Sequence, residues 1–432
     1  MGHWDKRTAA KENLRLFEAP ETWRRYADEI DSNDNSVKIP GCAAALDRFL
    51  VNGLNSTNIL ILTGAGASFC VKNDAASKLP VRTAPGLSDL WKAVEEKVGA
   101  DALKTILSII PNPAATGQVE KLLTQCKLYV ALFGDAAGNG KKVSEFIAKA
   151  ENAILARVDF VDDSTDVGPH EILLRKFARR GIRKPRAKVF TTNYDLCFEY
   201  AARRSRFIVV DGFSHAIPQV YDRSHFALDI VRRDSTKEAP DYLESVFQLY
   251  KLHGSIDWRR TPAEIIRARG SEGQPVLIYP RDSKYQEAFE PPYLDMMGAF
   301  QTSLREPDTA LFVSGFSFSD SHISAPVLAA LESNMNFRMV VCDPILLTDD
   351  LVKGDPVTLQ TADAGFSKND FHRRLMRLAQ SGDQRLMLLH GRFEDLAIAL
   401  PDLVAETERE RHAARVRVLR DAHLPGGGAP LP

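Results

Sequence analysis

The chain has 432 residues, of which 44% are hydrophobic and 26% charged, and its formal net charge is -1. These values are typical of a globular protein with one large domain or two, and they exclude a disordered or collagen-like chain. A net charge near zero provides no overall field that would attract nucleic acid or an anionic membrane, so any such contact must come from a local patch.

The spacing of the cysteines and the lack of long apolar stretches bear on the cellular compartment and the metal content of the protein. The five cysteines never form a C-x-x-C pair, which argues against both a disulfide framework and a cysteine zinc site. No uninterrupted apolar stretch approaches about 20 residues, and "MGHWDKRTAAKEN" lacks the apolar segment of a secretory signal. We therefore expect a cytoplasmic protein that binds no metal.

The first 40 residues are interpreted as a polar N-terminal extension. "KENLRLF" and "ETWRRYADEI" have helical spacing, and the cluster "DSNDNS" then breaks the pattern. Residues 41–54 show helical spacing again and lead into an apolar run at 58–63, which predicts the first strand. The main domain is expected to cover residues 41–402.

Residues 85–155 predict a helical module. Segments such as "LSDLWKAVEEKV" and "QVEKLLTQCKLYVALF" carry apolar residues at i, i+3, i+4 and i+7. After the module, short apolar runs alternate with helical segments, which predicts an α/β fold: a doubly wound, Rossmann-like parallel sheet with the helical module inserted. These runs lie at 187–193, 206–212, 245–255, 275–280, 310–317, 337–344 and 385–391.

Two charged segments stand out from the rest. A run from Arg175 to Lys188 contains eight lysines and arginines and no acid. It is interpreted as a solvated helix end, with ligand or partner binding as the alternative. Residues 403–432 predict a charged helix followed by "LPGGGAPLP", whose Gly and Pro content argues against order in the absence of a partner.

The stretch "NILILTGAGAS" ends the first predicted strand in glycines and small hydroxyl residues. Such a strand end lets backbone amides approach a phosphate without interference from Cβ atoms. A plain βα turn is the alternative, because the third glycine of the dinucleotide fingerprint is missing.

Three other predicted strands also end in polar residues. Because ligands collect at the carboxyl ends of strands in open parallel sheets, the four ends are expected to converge on one site. They are Thr63 to Ser68 ("TGAGAS"), Thr191 to Asp195 ("TTNYD"), Leu252 to Trp258 ("LHGSIDW") and Gly315 to Asp320 ("GFSFSD").

Together these four ends resemble the motifs of the sirtuin-like NAD-consuming domains, more closely the bacterial anti-phage defence branch than the protein deacylases. "TGAGAS" resembles the phosphate loop of that family, "TTNYD" the catalytic Asn-x-Asp strand end, "LHGSIDW" the His-Gly strand end and "GFSFSD" the Gly-x-Ser ribose loop. "VEKLLTQ" (119–125) and "HGRFEDLA" (390–397) also resemble motifs of that branch. The resemblance spans roughly residues 41–400 and implies NAD as the substrate.

The resemblance implies a role for each matching residue. His253 would act as the base, Asn193 would position a water molecule or the nicotinamide ribose, and Asp195 is a supporting candidate. The residues that would bind NAD are Gly64, Ala65, Gly66 and Ser68 for the diphosphate, Ser317 for a ribose, and Thr192 and Gly315 within the same motifs.

These residue types also suit the chemistry. Nicotinamide leaves NAD as a neutral molecule from a cationic ring, so the reaction needs an oxocarbenium-like ribose to be stabilised and a nucleophile to be delivered. A neutral imidazole can accept a proton from water or a ribose hydroxyl near pH 7. An amide can bind water and ribose at once.

Structural roles are the alternatives for the same residues. Asp195 could cap the helix predicted at "LCFEYAARR". His253 could be a buried core histidine, although its position before Gly254 at a strand end favours catalysis. The remaining aromatic candidates are interpreted as surface or loop residues (His215, His225 and His322) and as core or pocket wall (Trp258).

One departure from the deacylase pattern bears on the activity. Protein deacylases of this family carry two C-x-x-C pairs and this chain has none, so water is the simpler acceptor. We therefore predict an NAD glycohydrolase that acts as an anti-phage effector. The alternatives are an NAD-dependent deacylase and a nucleotide-sensing subunit of a nuclease or ATPase assembly. We expect a homo-oligomer, because residues 1–40, the helical module and the tail carry apolar faces and Gly/Pro-rich ends that a single sheet domain does not need, and constant NAD cleavage would harm the host. By resemblance, the expected partner is a HerA-type ATPase, or as second choice a short Argonaute, with any nucleic-acid contact made through that partner.

Overall fold

A ten-stranded sheet forms the centre of the protein in the computed structural model. The structure describes residues 8–19, 22–80, 82–178, 184–233, 241–270, 273–277, 291–347, 357–358 and 369–402. The tail predicted at 403–432 lies outside the described residues, as do Arg179, Arg180 and Arg183 of the basic run.

Strands and helices alternate along most of the described chain. In chain order the strands are β1 (Arg15–Glu18), β2 (Thr22–Arg25), β3 (Glu29–Ile30), β4 (Val37–Ile39), β5 (Asn58–Thr63), β6 (Lys188–Thr191), β7 (Ile208–Val210), β8 (Gln219–Val220), β9 (Val231–Arg232), β10 (Asp241–Tyr242), β11 (Val246–Lys251), β12 (Gly254–Arg260), β13 (Ile265–Arg267), β14 (Gln274–Leu277), β15 (Thr309–Ser314), β16 (Arg338–Cys342), β17 (Val357–Thr358) and β18 (Leu386–His390). The α-helices are α1 (Ala43–Leu54), α2 (Leu87–Val98), α3 (Ala100–Ile109), α4 (Val119–Phe133), α5 (Gly138–Val158), α6 (Gly168–Ala178), α7 (Cys197–Ser205), α8 (Tyr293–Arg305), α9 (Ser321–Ser333), α10 (Asp370–Gln380) and α11 (Phe393–Ala399). Among the residues that the structure describes, no helix has the length and apolar content needed to cross a membrane.

The central sheet is mostly parallel, and the direction in which the chain adds successive strands reverses near its middle. Its strand order is β17-β2-β1-β18-β16-β15-β5-β6-β11-β7, and the seven strands from β18 to β7 are parallel. From β5 the chain continues to β6 on one side, and it returns later on the other side of β5 with β15. The predicted α/β class with a doubly wound, Rossmann-like sheet is confirmed, and its topological switch point lies between β5 and β15.

Helices cover both faces of this sheet, as buried parallel strands require. Ile59 and Ile61 of β5 belong to an apolar layer with α1, α6, α7 and α11, whereas Leu60 and Leu62 belong to a layer with α8, α9 and α10. Successive side chains of a strand point to opposite faces, so a strand buried on both faces needs an uninterrupted apolar run. That is why the sequence of β5 shows no alternation.

The helical module is present as α2 to α5. Its apolar faces form a third core that includes Trp91 and Leu122 and also takes in Tyr194, which follows β6. The Tyr194 hydroxyl donates a hydrogen bond to the Glu120 carboxylate of α4 at 3.4 Å. The module therefore packs against the segment that carries one of the four polar strand ends.

Helices were expected in the N-terminal segment, and this expectation is wrong. Apart from a 3-10 turn at Lys11–Asn13, "KENLRLF" and "ETWRRYADEI" contain β1, β2 and β3. β1 pairs antiparallel with β18 and so extends the central sheet, while Leu14 and Trp23 are fully buried. Burial against the sheet outweighs the weak helical preference of such short segments.

The "HGRFEDLA" segment fixes these N-terminal residues to the sheet. The buried Asp395 carboxylate accepts hydrogen bonds from the Ala10 amide at 3.0 Å, from Asn13 Nδ2 at 2.7 Å and from Arg392 Nε at 2.9 Å. Charge-assisted hydrogen bonds of this kind are stronger than those between neutral groups. The segment that begins near residue 10 is thereby tied to the central fold.

The predicted strand at 275–280 lies outside the central sheet. It contributes to β14, which belongs to a four-stranded antiparallel sheet with the order β14-β12-β13-β8. Gly254, with φ of 86°, begins β12, and a Cβ at this position would lie 2.0 Å from the Val276 carbonyl oxygen. Glycine therefore allows the chain to turn into the second sheet directly after His253.

The described members of the basic run bond within the protein. Lys176 donates to backbone carbonyls at the end of α11, Arg186 pairs with Asp229 at 2.8 Å, and Lys188 pairs with Glu306 at 3.0 Å. These contacts favour a structural role for these cations over a role in partner binding.

Candidate functional site

The structure brings the four polar strand ends together at the carboxyl edge of the central sheet. In the parallel register Ser314 lies beside Thr63, Thr63 beside Thr191, and Thr191 beside Lys251. The segments that follow these residues start side by side around the switch point. Ligands of open α/β sheets bind in this position.

The predicted phosphate loop packs closely against the loop after β15. Gly66 donates its backbone N–H to the Gly315 carbonyl at 2.9 Å. A Cβ on Gly66 would lie 2.7 Å from Gly315 Cα, and a Cβ on Gly315, whose φ is 70°, would lie 2.2 Å from the Ala67 nitrogen. Loop-to-loop contact thus accounts for these glycines in the structure. The role of Gly64, Ala65 and Gly66 in binding a diphosphate stays a prediction.

Ser68 joins the first two strand ends through its hydroxyl. Asn193 Nδ2 donates to Ser68 Oγ at 2.8 Å, and Ser68 Oγ donates to Asp195 Oδ2 at 2.7 Å. Asp195 Oδ1 accepts the Cys197 N–H at 3.0 Å, so the alternative role of Asp195 at the start of α7 is also present. All three linked side chains are at most 9% exposed. The network holds the Asn193 amide in one orientation.

Lys251 supports the turn between Asn193 and Asp195 from the neighbouring strand. Its buried ammonium group donates to the Asp195 carbonyl and pairs with Glu199 at 3.0 Å. Burial raises the pKa of Glu199, and the charge of Lys251 opposes that rise. Lys251 was not among the site residues expected from the sequence. The available signal was a lysine inside the apolar strand "VFQLYKL", because lysine is almost never fully buried without a partner.

His253 faces a second histidine. His253 follows β11 and is 4% exposed, whereas His322 lies in the first turn of α9 and is exposed to solvent. Their Nε2 atoms are 3.4 Å apart, and the two rings are inclined by 30°. The interpretation of His322 as a surface residue is right about its exposure, but it missed this contact. Only its position directly after the "GFSFSD" loop pointed to the site.

Both imidazoles favour the neutral form. Burial lowers the pKa of His253 well below 6.5, and the proximity of His322 lowers it further. Partial desolvation of the His322 ring, which keeps contact with solvent, also lowers its pKa. A position in the first turn of a helix, at the positive end of the dipole, likewise favours the neutral form. In a neutral pair one Nε2 can donate and the other accept, so His322 connects the buried imidazole of His253 to solvent.

Ser317 and Thr192 belong to the segments that follow β15 and β6. The Ser317 hydroxyl is exposed and lies 2.9 Å from the Ser319 hydroxyl. The Ser317 backbone carbonyl accepts a hydrogen bond from Asn369 Nδ2 at 2.6 Å. Thr192 donates its backbone N–H to the Thr63 carbonyl at 3.0 Å, which links β6 to β5 beyond the paired residues. The Ser317 side chain is free to contact a ligand from solvent.

Two further polar groups at this edge were not selected from the sequence. The Thr63 hydroxyl is fully buried and has no hydrogen-bond partner among the described residues. Asp343 directly follows β16, accepts the Ile345 N–H at 2.9 Å, and has a pKa that burial raises to about 7. Buried polar groups normally have partners, so the unpaired hydroxyl suits a polar ligand at the switch point.

Possible metal ligands do not cluster in the part of the chain that the structure describes. No group of three or more His, Cys, Asp or Glu side chains among the described residues is placed to hold a metal ion. All five cysteines are free thiols, and four of them are buried. The expectation that the protein binds no metal stays a prediction.

The doubly wound sheet with polar strand ends at its switch point defines a Rossmann-like α/β protein with a candidate ligand site at this edge. Within it, residues 187–350 match the SIR2-like domain family. The matched range contains Asn193, His253 and Ser317, while the "TGAGAS" loop precedes it. A SIR2-like domain implies NAD binding and is compatible with an NAD-utilising enzyme. No match to a curated protein was found.

Proposed function

We propose that the protein is an NAD glycohydrolase, which cleaves NAD to nicotinamide and ADP-ribose. The observation that carries this proposal is the placement of an amide and a neutral imidazole on neighbouring strands. Thr191 and Lys251 lie side by side in the parallel register of β6 and β11. Asn193 lies two residues after Thr191, and His253 lies two residues after Lys251. Both groups therefore reach the carboxyl edge of the sheet near the switch point.

The groups of the chain can meet the chemical requirements of hydrolysis. Nicotinamide departs as a neutral molecule, so no general acid is needed for the leaving group. Ser68 holds Asn193 Nδ2, which leaves Asn193 Oδ1 to accept a hydrogen bond from the attacking water or a ribose hydroxyl. The His253 imidazole would accept the proton of that water, and His322 would pass it to solvent.

The NAD molecule would lie along the carboxyl edge. Its diphosphate would contact the loop of Gly64, Ala65, Gly66 and Ser68, and a ribose would contact Ser317 in the loop after β15. The unpaired Thr63 hydroxyl and the Asp343 carboxyl group are additional polar partners for ribose hydroxyls at the same edge. This proposed position of NAD is based only on the polar groups of the chain.

Water is the proposed acceptor of ADP-ribose. The chain carries no C-x-x-C pair of the kind found in the protein deacylases of the sirtuin-like family. In addition, the helical module packs over the turn at Tyr194. Deacylation would give acyl-ADP-ribose in place of free ADP-ribose. A nucleotide sensor would bind NAD without turnover.

The resemblance to the defence branch further supports a role as an anti-phage effector that depletes NAD. Constant NAD cleavage would harm the host, so we propose a homo-oligomer that is activated within a complex. A HerA-type ATPase is the first candidate partner, and a short Argonaute is the second. Any contact with nucleic acid would be made by the partner.

Product analysis tests the activity. Purified protein is incubated with NAD, with and without the candidate partner, and nicotinamide, ADP-ribose and acyl-ADP-ribose are quantified by chromatography. His253→Ala and Asn193→Ala are expected to lower kcat by about 100-fold or more, while His215→Ala, an exposed histidine outside the site, retains activity. Free ADP-ribose as the product supports hydrolysis. NAD binding without turnover under every condition would identify a sensor instead.

Assembly needs a separate measurement. Light scattering of the protein alone and after mixing with a HerA-type ATPase or a short Argonaute gives the mass of each species. A stable complex with raised NAD cleavage supports activation by that partner. A monomer whose activity neither partner changes contradicts this part of the proposal.

A further inference from the structure

A cationic cavity lies beside the loop that follows Ser68. The cavity has a volume of about 440 Å³ and is lined by Lys72, Arg82, Thr83 and Arg157. Three of the four lining residues carry a positive charge. Among the described residues, Lys72, Arg82 and Arg157 form no ion pair with a carboxylate, although the charge of Asp89 acts on Arg157. This concave surface with three cations lies outside the strand-end network.

Backbone contacts hold the cavity wall in place. Lys72 and Thr83 form an antiparallel bridge, the Asn73 N–H donates to the Arg82 carbonyl at 3.1 Å, and the Arg82 N–H donates to Asn73 Oδ1 at 2.5 Å. On the opposite wall, Arg157 Nη1 donates to the Thr83 carbonyl at 2.8 Å. The backbones of Lys72 and Arg82 thus take part in the structure, and their side-chain donors have no hydrogen-bond partner among the described residues.

Arg82 acts on Arg157 across this cavity. Burial lowers the pKa of the Arg157 guanidinium, the charge of Asp89 opposes that change, and the charge of Arg82, a smaller influence, lowers the pKa further. Asp89 is engaged in capping α2, where its Oδ2 accepts the Gly86 N–H at 2.9 Å. Like charges around one concavity repel unless an anion lies between them.

We propose that this cavity binds a phosphate oxyanion of a small molecule. Two guanidinium groups and an ammonium group provide the planar and point-like donors that phosphate oxygens accept. Their convergence on one cavity suits a compact ligand, whereas a nucleic-acid backbone needs cations spread along a path. The phosphate belongs either to a free compound or to a nucleotide in the strand-end site, because Lys72 follows Ser68 by four residues.

Titration with pyrophosphate tests this site by calorimetry. The test variant is Lys72→Gln/Arg82→Gln, which removes two charges and no side-chain hydrogen bond found among the described residues. The matched control is Lys78→Gln/Lys92→Gln, which removes two charges at exposed positions outside the cavity. We expect equal affinity in the wild type and the control, and about 100-fold weaker binding in the test variant.

Several results would overturn the site: no saturable binding by the wild type, equal loss in both variants, or tighter binding of a short oligonucleotide with the same dependence on Lys72 and Arg82. A repeat titration with NAD present separates the two phosphate sources. Independent binding assigns the cavity to a free compound, and competition assigns it to the phosphates of the nucleotide. Both outcomes support an oxyanion site. The measurement requires no NAD turnover, so its failure is distinct from failure of the proposed hydrolase activity.

Discussion

The Nε2 atoms of His253 and His322 lie 3.4 Å apart, which joins a buried imidazole at a strand end to an exposed one at a helix start. The two residues are 69 positions apart in the chain. His322 is one of the two causes that lower the pKa of His253, and burial is the larger one. Burial and the contact with His322 therefore together set the pH range in which His253 can accept a proton.

Replacing His322 with Gln is expected to move the acid limb of the kcat/KM profile for NAD cleavage to higher pH. Without the second imidazole the pKa of His253 rises towards 6.5, so His253 is protonated, and inactive as a base, at higher pH. The wild type should keep full kcat/KM to below pH 6.5. Profiles of the wild type, His322→Gln and His225→Gln are compared, since His225 contacts the Gly212 carbonyl instead of the pair. Identical acid limbs in all three would remove His322 from the mechanism.

Removing the Ser68 hydroxyl is expected to reduce both stability and kcat. Ser68→Ala leaves Asn193 Nδ2 and Asp195 Oδ2 without the partner they share, which costs about 1–3 kcal/mol of unfolding free energy. The Asn193 amide also loses its fixed orientation, so kcat should fall by about 10- to 100-fold. Urea denaturation and steady-state kinetics measure the two effects. Ser108→Ala, in an exposed part of α3, is the control, and a Ser68→Ala protein that matches it would contradict the network.

Gly315→Ala is expected to destabilise the protein more than Gly382→Ala. Both glycines have positive φ, 70° and 84°, so both alanines are strained by about 1 kcal/mol. A Cβ at Gly382 meets no atom within 4 Å, whereas one at Gly315 would lie 2.2 Å from the Ala67 nitrogen. The overlap should add about 1–3 kcal/mol and weaken NAD binding by separating the two loops. Equal unfolding free energies for the two variants would show that the loop contact contributes nothing.

His170→Phe is expected to reduce the amount of unfolding free energy that the protein loses as the pH falls from 6.5 to 4. Burial lowers the pKa of His170 to about 4, and its ring packs between Phe198 and Phe393 with no hydrogen bond to either nitrogen among the described residues. Between pH 6.5 and 4 the unfolded chain binds a proton that the folded chain does not, so the stability present above pH 6.5 is lost as pH falls through this window. The loss attributable to His170 is about 3 kcal/mol.

The measurement is the unfolding free energy of wild type and His170→Phe from pH 7 to pH 4. The difference between them should grow as pH falls, in favour of the variant. His215→Phe at an exposed position should follow the wild type. A constant difference across the range would mean that His170 is protonated equally in the folded and unfolded states.

Trp23→Ala is expected to cost about 3–5 kcal/mol of unfolding free energy, because Trp23 is fully buried in β2. Ile30 of β3 lies in the same N-terminal segment but is 49% exposed. Ile30→Ala should therefore change the unfolding free energy by about 0.5 kcal/mol or less. Thermal or urea denaturation of both variants measures the contrast. Similar small effects would separate the N-terminal strands from the central fold.

Much of the central sheet and of the candidate site could be predicted from local patterns. The run at 58–63 is β5, because a strand buried on both faces must be apolar at successive positions. The polar residues after β5, β6, β11 and β15 could be assigned to one edge because parallel strands end on the same side. Asn193 and His253 were selected by this rule together with the resemblance of their motifs to the sirtuin-like domains.

The tertiary structure decided what depends on partners distant in the chain. The N-terminal segment forms strands because β18, more than 350 residues away, offers a sheet edge and Asp395 a buried acceptor. His322 reaches His253, and Arg157 meets Arg82, only because α9 and α5 are placed beside loops from other parts of the chain. Local sequence determines which residues prefer a strand, a helix or a turn. Which side chains meet across the fold is set by long-range packing, which no local pattern encodes.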